Sequence, residues 1–500
     1  MSAPPAHLPI AAYAALAAVM TAGCATAPFA GRDPSREAYG AYLRGLMYER
    51  SAKLPEALDA YRLAMEHDHH SPHLHVRAGA THVKLGQLDR AMREFEKALA
   101  LSPDHPDALR WVAMLNTSQG RLDDAIAAYE RFLAAEPNDQ FVLSTLADLY
   151  VLQGGLPRAV ELYEQLIKEF GPSAQLHFNL GVLYGRMERF DDAIAELSRA
   201  LERSPEAVEI RLALGITYEM SGRFETAAAH YEEAIRLDPL KPPLYYYAGR
   251  AWLNAKQFAK AQAAYQAVLD LSEGDLEAML GLVRVWLSQR KFEQAERLLG
   301  EQLDALGHPP ELYVALGIVY REAKQDLEAM RAFERAIALK DDYTQAHFYL
   351  AAQLDQLGRK AEARLSLRRT LELEPDYPDA LNYLGYLDAE AGANLEEAKA
   401  LIERALAQDP ENGAYIDSLG WVYYQMGNLD EAIAHLERAA VLVDTDPVIF
   451  DHLGDAYFKR NEVERARRNW ERALELEADQ PEIREKLERM TPQDVTVGTP

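Results

Sequence analysis

The chain has 500 residues, with 53 Lys+Arg against 79 Asp+Glu and a formal net charge of −26. At 49% hydrophobic it is not an acidic disordered chain, and the acidic balance argues against nucleic acid as the main partner, because neutralising phosphates takes clustered Lys and Arg. The single cysteine, Cys24, excludes an internal disulfide and a Cys-rich zinc site, while abundant Ala and Leu favour helix over sheet.

Taken in chain order, residues 1–23 come first, with an apolar, Ala-rich stretch from Leu8 to Gly23. That stretch is short for a membrane-spanning helix, which needs roughly 20 residues. It ends in Thr21-Ala22-Gly23-Cys24. This resembles the lipobox of bacterial lipoproteins, where small residues precede a cysteine that is lipidated and becomes the new amino terminus. The resemblance implies a signal peptide over 1–23, lipidation at Cys24, and sorting to the outer membrane permitted by Ala25. The one cysteine stands where lipidation requires it. Residues 24–37, with Pro28, Gly31 and Pro34, read as a flexible tether reaching about 45–50 Å at full extension.

From residue 38 onward the sequence repeats. In a 34-residue frame, position 8 is small, 11 bulky, 20 Ala, 24 bulky, 27 mostly Ala and 32 often Pro. Gly79, His82, Ala91, Phe95, Ala98 and Pro103 fit it, as do Gly215, Tyr218, Ala227, Tyr231, Ala234 and Pro239. Near the carboxyl end Gly454, Tyr457, Ala466, Trp470 and Ala473 fit it again. Each copy reads as two amphipathic helices. Small residues at 8 and 20 let them approach, and Pro at 32 ends the second.

The pattern resembles the tetratricopeptide repeat (TPR) family. It implies an all-α solenoid, a right-handed superhelix of about thirteen helix-turn-helix copies. The solenoid would run over 38–480, with copies starting at 38, 72, 106, 140, 174, 208, 242, 276, 310, 344, 378, 413 and 447. The copy at 378 has one extra residue within Gly392-Ala393-Asn394. The first copy carries Ala41 and Arg44 at sites expected to be apolar. The eighth has Val283 at the small position and an irregular junction from Gly300 to Pro310. Residues 481–490 read as a polar capping helix, and 491–500 as a disordered tail. A catalytic module takes about 100 residues, and no such length is left over.

No phosphate loop, His-Glu-x-x-His motif or nucleophile elbow occurs. The expectation is therefore no enzyme, no cofactor and no metal. Six histidines crowd the first junction (His67, His69, His70, His73, His75 and His82). Spread around a helix end and a turn, they read as a solvated, pH-responsive turn rather than a metal site.

By resemblance, positions 2, 5, 9 and 12 of each first helix line a concave groove. In the last three copies these give Asn382, Tyr386, Asp417, Trp421, Tyr424, Asp451, Asp455 and Phe458. Aromatics beside carboxylates suit a polypeptide ligand, the rings giving apolar contact and the acids pairing with basic groups. Residues 378–480 hold 22 acids and 9 bases, half the chain's excess charge. A second patch comprises Tyr246, Arg250 and Arg284, with Trp252 read as core.

Leu381–Tyr386, Asp417–Tyr424 and His452–Asp455 resemble segments of large proteobacterial TPR lipoproteins, one of which is the periplasmic adaptor of a carboxyl-terminal processing protease. That resemblance implies a periplasmic scaffold binding other proteins, with membrane contact through a lipid anchor only. The alternative is an assembly factor for a secretion, type IV pilus or exopolysaccharide export machine.

Overall fold

The computed structural model describes residues 35–490. The signal peptide, Cys24 and the tail lie outside the described residues. The tether reading is corrected at its end. Ser35 Oγ accepts from the Ala38 amide at 3.1 Å, and a helix starts at Arg36 rather than after residue 37.

The described residues form 27 helices and no strand. They divide into two compact units within one helix, between Ala251 and Trp252. In the first unit the pairs are α1 Arg36–Arg50 with α2 Leu54–His67, α3 Pro72–Lys84 with α4 Leu88–Leu101, and α5 Pro106–Ser118 with α6 Leu122–Ala135. Next come α7 Gln140–Gln153 with α8 Leu156–Phe170, α9 Ala174–Arg186 with α10 Phe190–Arg203, and α11 Val208–Met220 with α12 Phe224–Leu237. The divided helix is α13, Pro242–Asn254.

The second unit continues with α14 Phe258–Leu271, then pairs α15 Leu276–Ser288 with α16 Phe292–Ala305, and α17 Pro310–Glu322 with α18 Asp326–Leu339. It goes on with α19 Thr344–Gln356 and α20 Lys360–Leu373, α21 Pro378–Glu390 and α22 Leu395–Gln408, and α23 Gly413–Met426 and α24 Leu429–Leu442. The last pair is α25 Pro447–Lys459 with α26 Val463–Leu476, followed by the single helix α27 Pro481–Arg489. Within each unit helices pack chiefly on their neighbours in sequence. No described helix is long and apolar enough to cross a membrane.

Local chemistry sets the boundaries. First helices open on Pro at Pro72, Pro106, Pro378 and Pro447, where a missing N–H costs nothing. Others are capped by Asp139, Ser173, Asp275 and Asn412, whose side chains accept from the first turn. Inside a pair, the bulky residue at position 24 lies over the small residue at position 8. A Cβ built on Gly79 would stand 2.5 Å from the Phe95 ring, and one on Gly181 would stand 2.6 Å from Leu197 Cγ. Only glycine admits this approach.

The eighth pair breaks that rule for a visible reason. Val283 fills position 8, and the glycine has moved to Gly281, where it receives the Tyr265 ring of α14 from the preceding pair (2.5 Å from a built Cβ to Cδ1). Its irregular junction consists of two successive left-handed residues, Gly307 and His308.

Candidate protein-binding face

Three consecutive first helices, α21, α23 and α25, carry the aromatic and acidic positions, and α27 takes the place of a fourth. Trp421 is the centre of a stack. Its ring lies 4.1 Å from His452 at an interplanar angle of 17°. Tyr424 lies 4.6 Å from the same indole at 10°. Tyr386 leans on His452 at 6.1 Å, and the Lys459 ammonium stands 4.1 Å over the Tyr424 ring. Phe458 rests against Trp470 at 5.4 Å and is 45% exposed.

The acids have a different role from the one expected. The three carboxylates assigned to a ligand's basic groups are already engaged. Asp417 is buried and accepts from His452 Nδ1 at 3.0 Å. Asp451 and Asp455 both accept from Lys486 Nζ on α27, at 2.7 and 2.8 Å. Asp455 also accepts from Trp470 Nε1 at 3.1 Å. One geometry repeats here: the position-5 acid of one pair meets the position-6 base of the next first helix, 35 residues on. His452 and Lys486, which hold these acids, were missed. For Lys486 the missing signal was that α27 continues the repeat frame.

Charge states follow from this packing. Burial opposes a proton on His452, but the Asp417 carboxylate, helped by Asp451 and Asp455, outweighs it and raises its pKa. Burial likewise opposes the charge on Lys486, and its two aspartates outweigh that. Asp455 is still pushed up by burial despite Lys486. Burial raises the Tyr386 and Tyr424 phenols, so both are neutral donors.

Two polar atoms of this face are shielded from water and lack a hydrogen-bond partner: Asn382 Oδ1 and Trp421 Nε1–H. Buried groups are nearly always satisfied, and each unmade bond costs about 1–3 kcal/mol.

The residues of the second patch are divided between the two units. Tyr246 and Arg250 lie in the first unit and Arg284 in the second. Arg250 grips Glu219 through Nε at 2.6 Å and Nη2 at 3.0 Å. Arg284 is exposed, its Nε donating to the Leu280 carbonyl at 3.3 Å. Trp252 is buried, as read, with Lys260 Nζ 3.8 Å from its ring centroid. The junction histidines have separate partners: His75 pairs with Glu94, His82 with Gln87, and His73 with His105. Among the described residues no group of three or more side chains could hold a metal ion.

Three family models, each described as tetratricopeptide repeat, match the chain. They cover residues 76–140, 180–242 and 351–413, then 116–180, 253–316 and 388–449, and 310–343. Together they span well over half of it. The chain belongs to the tetratricopeptide repeat family, an all-α solenoid of helical hairpins that binds other proteins, and no enzymatic family matches. Among solved structures it is similar to the crystal structure of the APC/C hetero-tetramer Cut9–Hcn1, at 16% identity over 91% of this chain and 96% of that one, with a TM-score of 0.44. It is also similar to yeast Tom70, at 17% identity over 91% and 99%, TM-score 0.45. MamA matches at 24% identity over 34% of this chain and 92% of its own, TM-score 0.32. No curated protein matches it.

Proposed function

We propose that this protein is a non-enzymatic scaffold that captures polypeptide segments on the α21–α23–α25 face. In this reading a lipid on Cys24 holds it at the outer membrane, on the periplasmic side. The observation carrying the proposal is the ring stack of Tyr386, His452, Trp421 and Tyr424 on three successive first helices, with Phe458 exposed on the same helix as His452. A peptide amide laid against these rings pairs with the half-buried Tyr424 hydroxyl, which donates and accepts. Rings packed on such an amide give apolar contact at little entropy cost. Tethering raises the effective concentration of whatever is captured near the membrane. In its sharpest form the scaffold presents substrates to a carboxyl-terminal processing protease.

Phe458 is the residue to test first, because it is exposed. Phe458→Ala is expected to weaken partner capture by about tenfold or more, with thermal unfolding nearly unchanged. Trp421→Ala is expected to lower both capture and the unfolding midpoint, because Trp421 also supports His452. Affinity purification from membranes gives the partners. A serine processing protease among them supports the adaptor reading; secretin or polysaccharide-export subunits in its place replace that reading with an assembly factor. Cys24→Ser is expected to move the protein to the soluble fraction with its helix content intact, and retention on membranes would remove the anchor from the proposal.

A further inference from the structure

The two ends of the helical array are finished differently. At the carboxyl end α27 covers the last pair with Ile483, which is 1% exposed. At the amino end α1 buries Ala38, Ala41, Tyr42 and Gly45, and its opposite side stays exposed. In later copies the tenth position of the repeat is buried, as at Leu115, Leu149, Leu183, Val285, Val319 and Leu387. Met47 holds that position in the first copy and is 68% exposed. Leu43 and Tyr39, one and two turns earlier on the same stripe, are 42% and 47% exposed.

The charges on that side are all of one sign. At 3.6 residues per turn, Tyr39, Leu43 and Met47 share an arc of about 140° with Arg36, Arg44 and Arg50. Neither acid of α1, Glu37 or Glu49, falls within it. All three arginines are exposed, and among the described residues none of them forms an ion pair. Elsewhere in this acidic chain arginines commonly hold a carboxylate, as Arg250 holds Glu219 and Arg364 holds Asp388. An apolar stripe edged by unneutralised arginines suits an interface between water and hydrocarbon that carries negative charge.

We infer that this face of α1 docks on the surface of an anionic phospholipid bilayer. Tyr39, Leu43 and Met47 enter the headgroup–acyl boundary, and the arginines grip phosphates while their stems stay along the apolar stripe. A bilayer fits better than a second copy, because a second copy sets three arginines against three arginines. The connection is long enough: from Cys24 to Ser35 the chain reaches about 36–40 Å. The contact is additional to the proposed anchor and lays the first helix pair against the membrane.

The test uses the full chain with Cys24→Ser, so that no lipid is attached. Met47→Cys carries an environment-sensitive fluorophore, and Met220→Cys, on the exposed end of α11, is the control. On phosphatidylcholine vesicles containing phosphatidylglycerol, the label at 47 should shift to the blue and brighten severalfold, and the label at 220 should not. Pure phosphatidylcholine should leave both in water. R36E/R44E/R50E should abolish the response, and each single neutralisation should weaken vesicle binding roughly fivefold, while R36K/R44K/R50K, an equally folded control, should retain it. Binding through residues 8–23 alone brings the chain to either vesicle without moving the label at 47, and that outcome overturns the inference. So does a label at 47 already buried without lipid in a particle of twice the mass, which assigns the face to a second copy. Because Cys24 is Ser throughout, these outcomes are separate from the fractionation test of the anchor.

Discussion

His452 ties together the carboxylate, the rings and the stack of helices at the candidate site. Its folded-state pKa is raised, so the protonated form is bound more tightly in the native state than in the unfolded chain. Its contribution to stability is therefore full below the unfolded value of about 6.5 and is lost as pH rises through the higher folded value. The expected outcome is a thermal midpoint that falls as the pH is raised from about 6 upward, with a flatter profile for His452→Gln. The difference between the two profiles isolates this residue from the other titrating groups, and identical profiles would mean His452 is neutral in the fold. At this scale the sequence identified which residues cluster but not what they hold. Trp421 and Tyr424 were legible from groove positions alone. Asp417, Asp451 and Asp455 were assigned to a ligand because a base 35 residues downstream looks like a surface charge until the next helix is stacked. Groove positions alone imply that Trp421→Ala/Tyr424→Ala leaves unfolding unchanged, and the His452 contact reverses that expectation.

Among elements, the clearest regularity is one the sequence hid. The fifteenth residue of every pair, in the turn between its helices, has a positive φ. It is glycine at Gly86, Gly120 and Gly222, but Arg290 (φ 56°) in the eighth pair and Lys324 (φ 59°) in the ninth. Glycine fills that turn in seven of the thirteen pairs and charged side chains fill it in four, so no single residue type marked it. In the left-handed region a Cβ crowds the following carbonyl, and relief of that crowding exceeds the entropy a glycine adds to the unfolded chain. Arg290→Gly and Lys324→Gly should each stabilise by about 0.5–1 kcal/mol. Gly120→Ala should destabilise by a similar amount, although a Cβ there meets only open space. Denaturation midpoints measured singly and together check the sign. The position-8 glycines, by contrast, were legible, because a small residue recurring at a fixed spacing marks the place where two helix backbones come close. At its small position the eighth pair looked degenerate because its glycine, Gly281, meets Tyr265 of the preceding pair.

For the whole molecule, composition pointed to helix and the repeating frame carried the solenoid. The exposed outer side of the amino-terminal helix was foreshadowed by Arg44 at an apolar site, which reads as a weak repeat until its exposure is seen. At the other end, Ile483 joins a cluster with Leu453, Tyr457 and Trp470. Ile483→Asp should detach α27 and free Asp451 and Asp455 from Lys486. Because stability in such arrays passes between neighbours, hydrogen exchange should accelerate in α25 and α26 first and leave α21 and α22 protected; a uniform loss across the second unit would show a more cooperative body. The same nearest-neighbour packing bears on how the polypeptide is made. A hairpin that needs only the one before it can settle as soon as its own residues emerge, from a ribosome or from a translocation pore, without waiting for the far end to arrive. A protein of this length threaded through a narrow channel could thus close up behind the channel from its leading edge, exposing about one unfinished hairpin at a time.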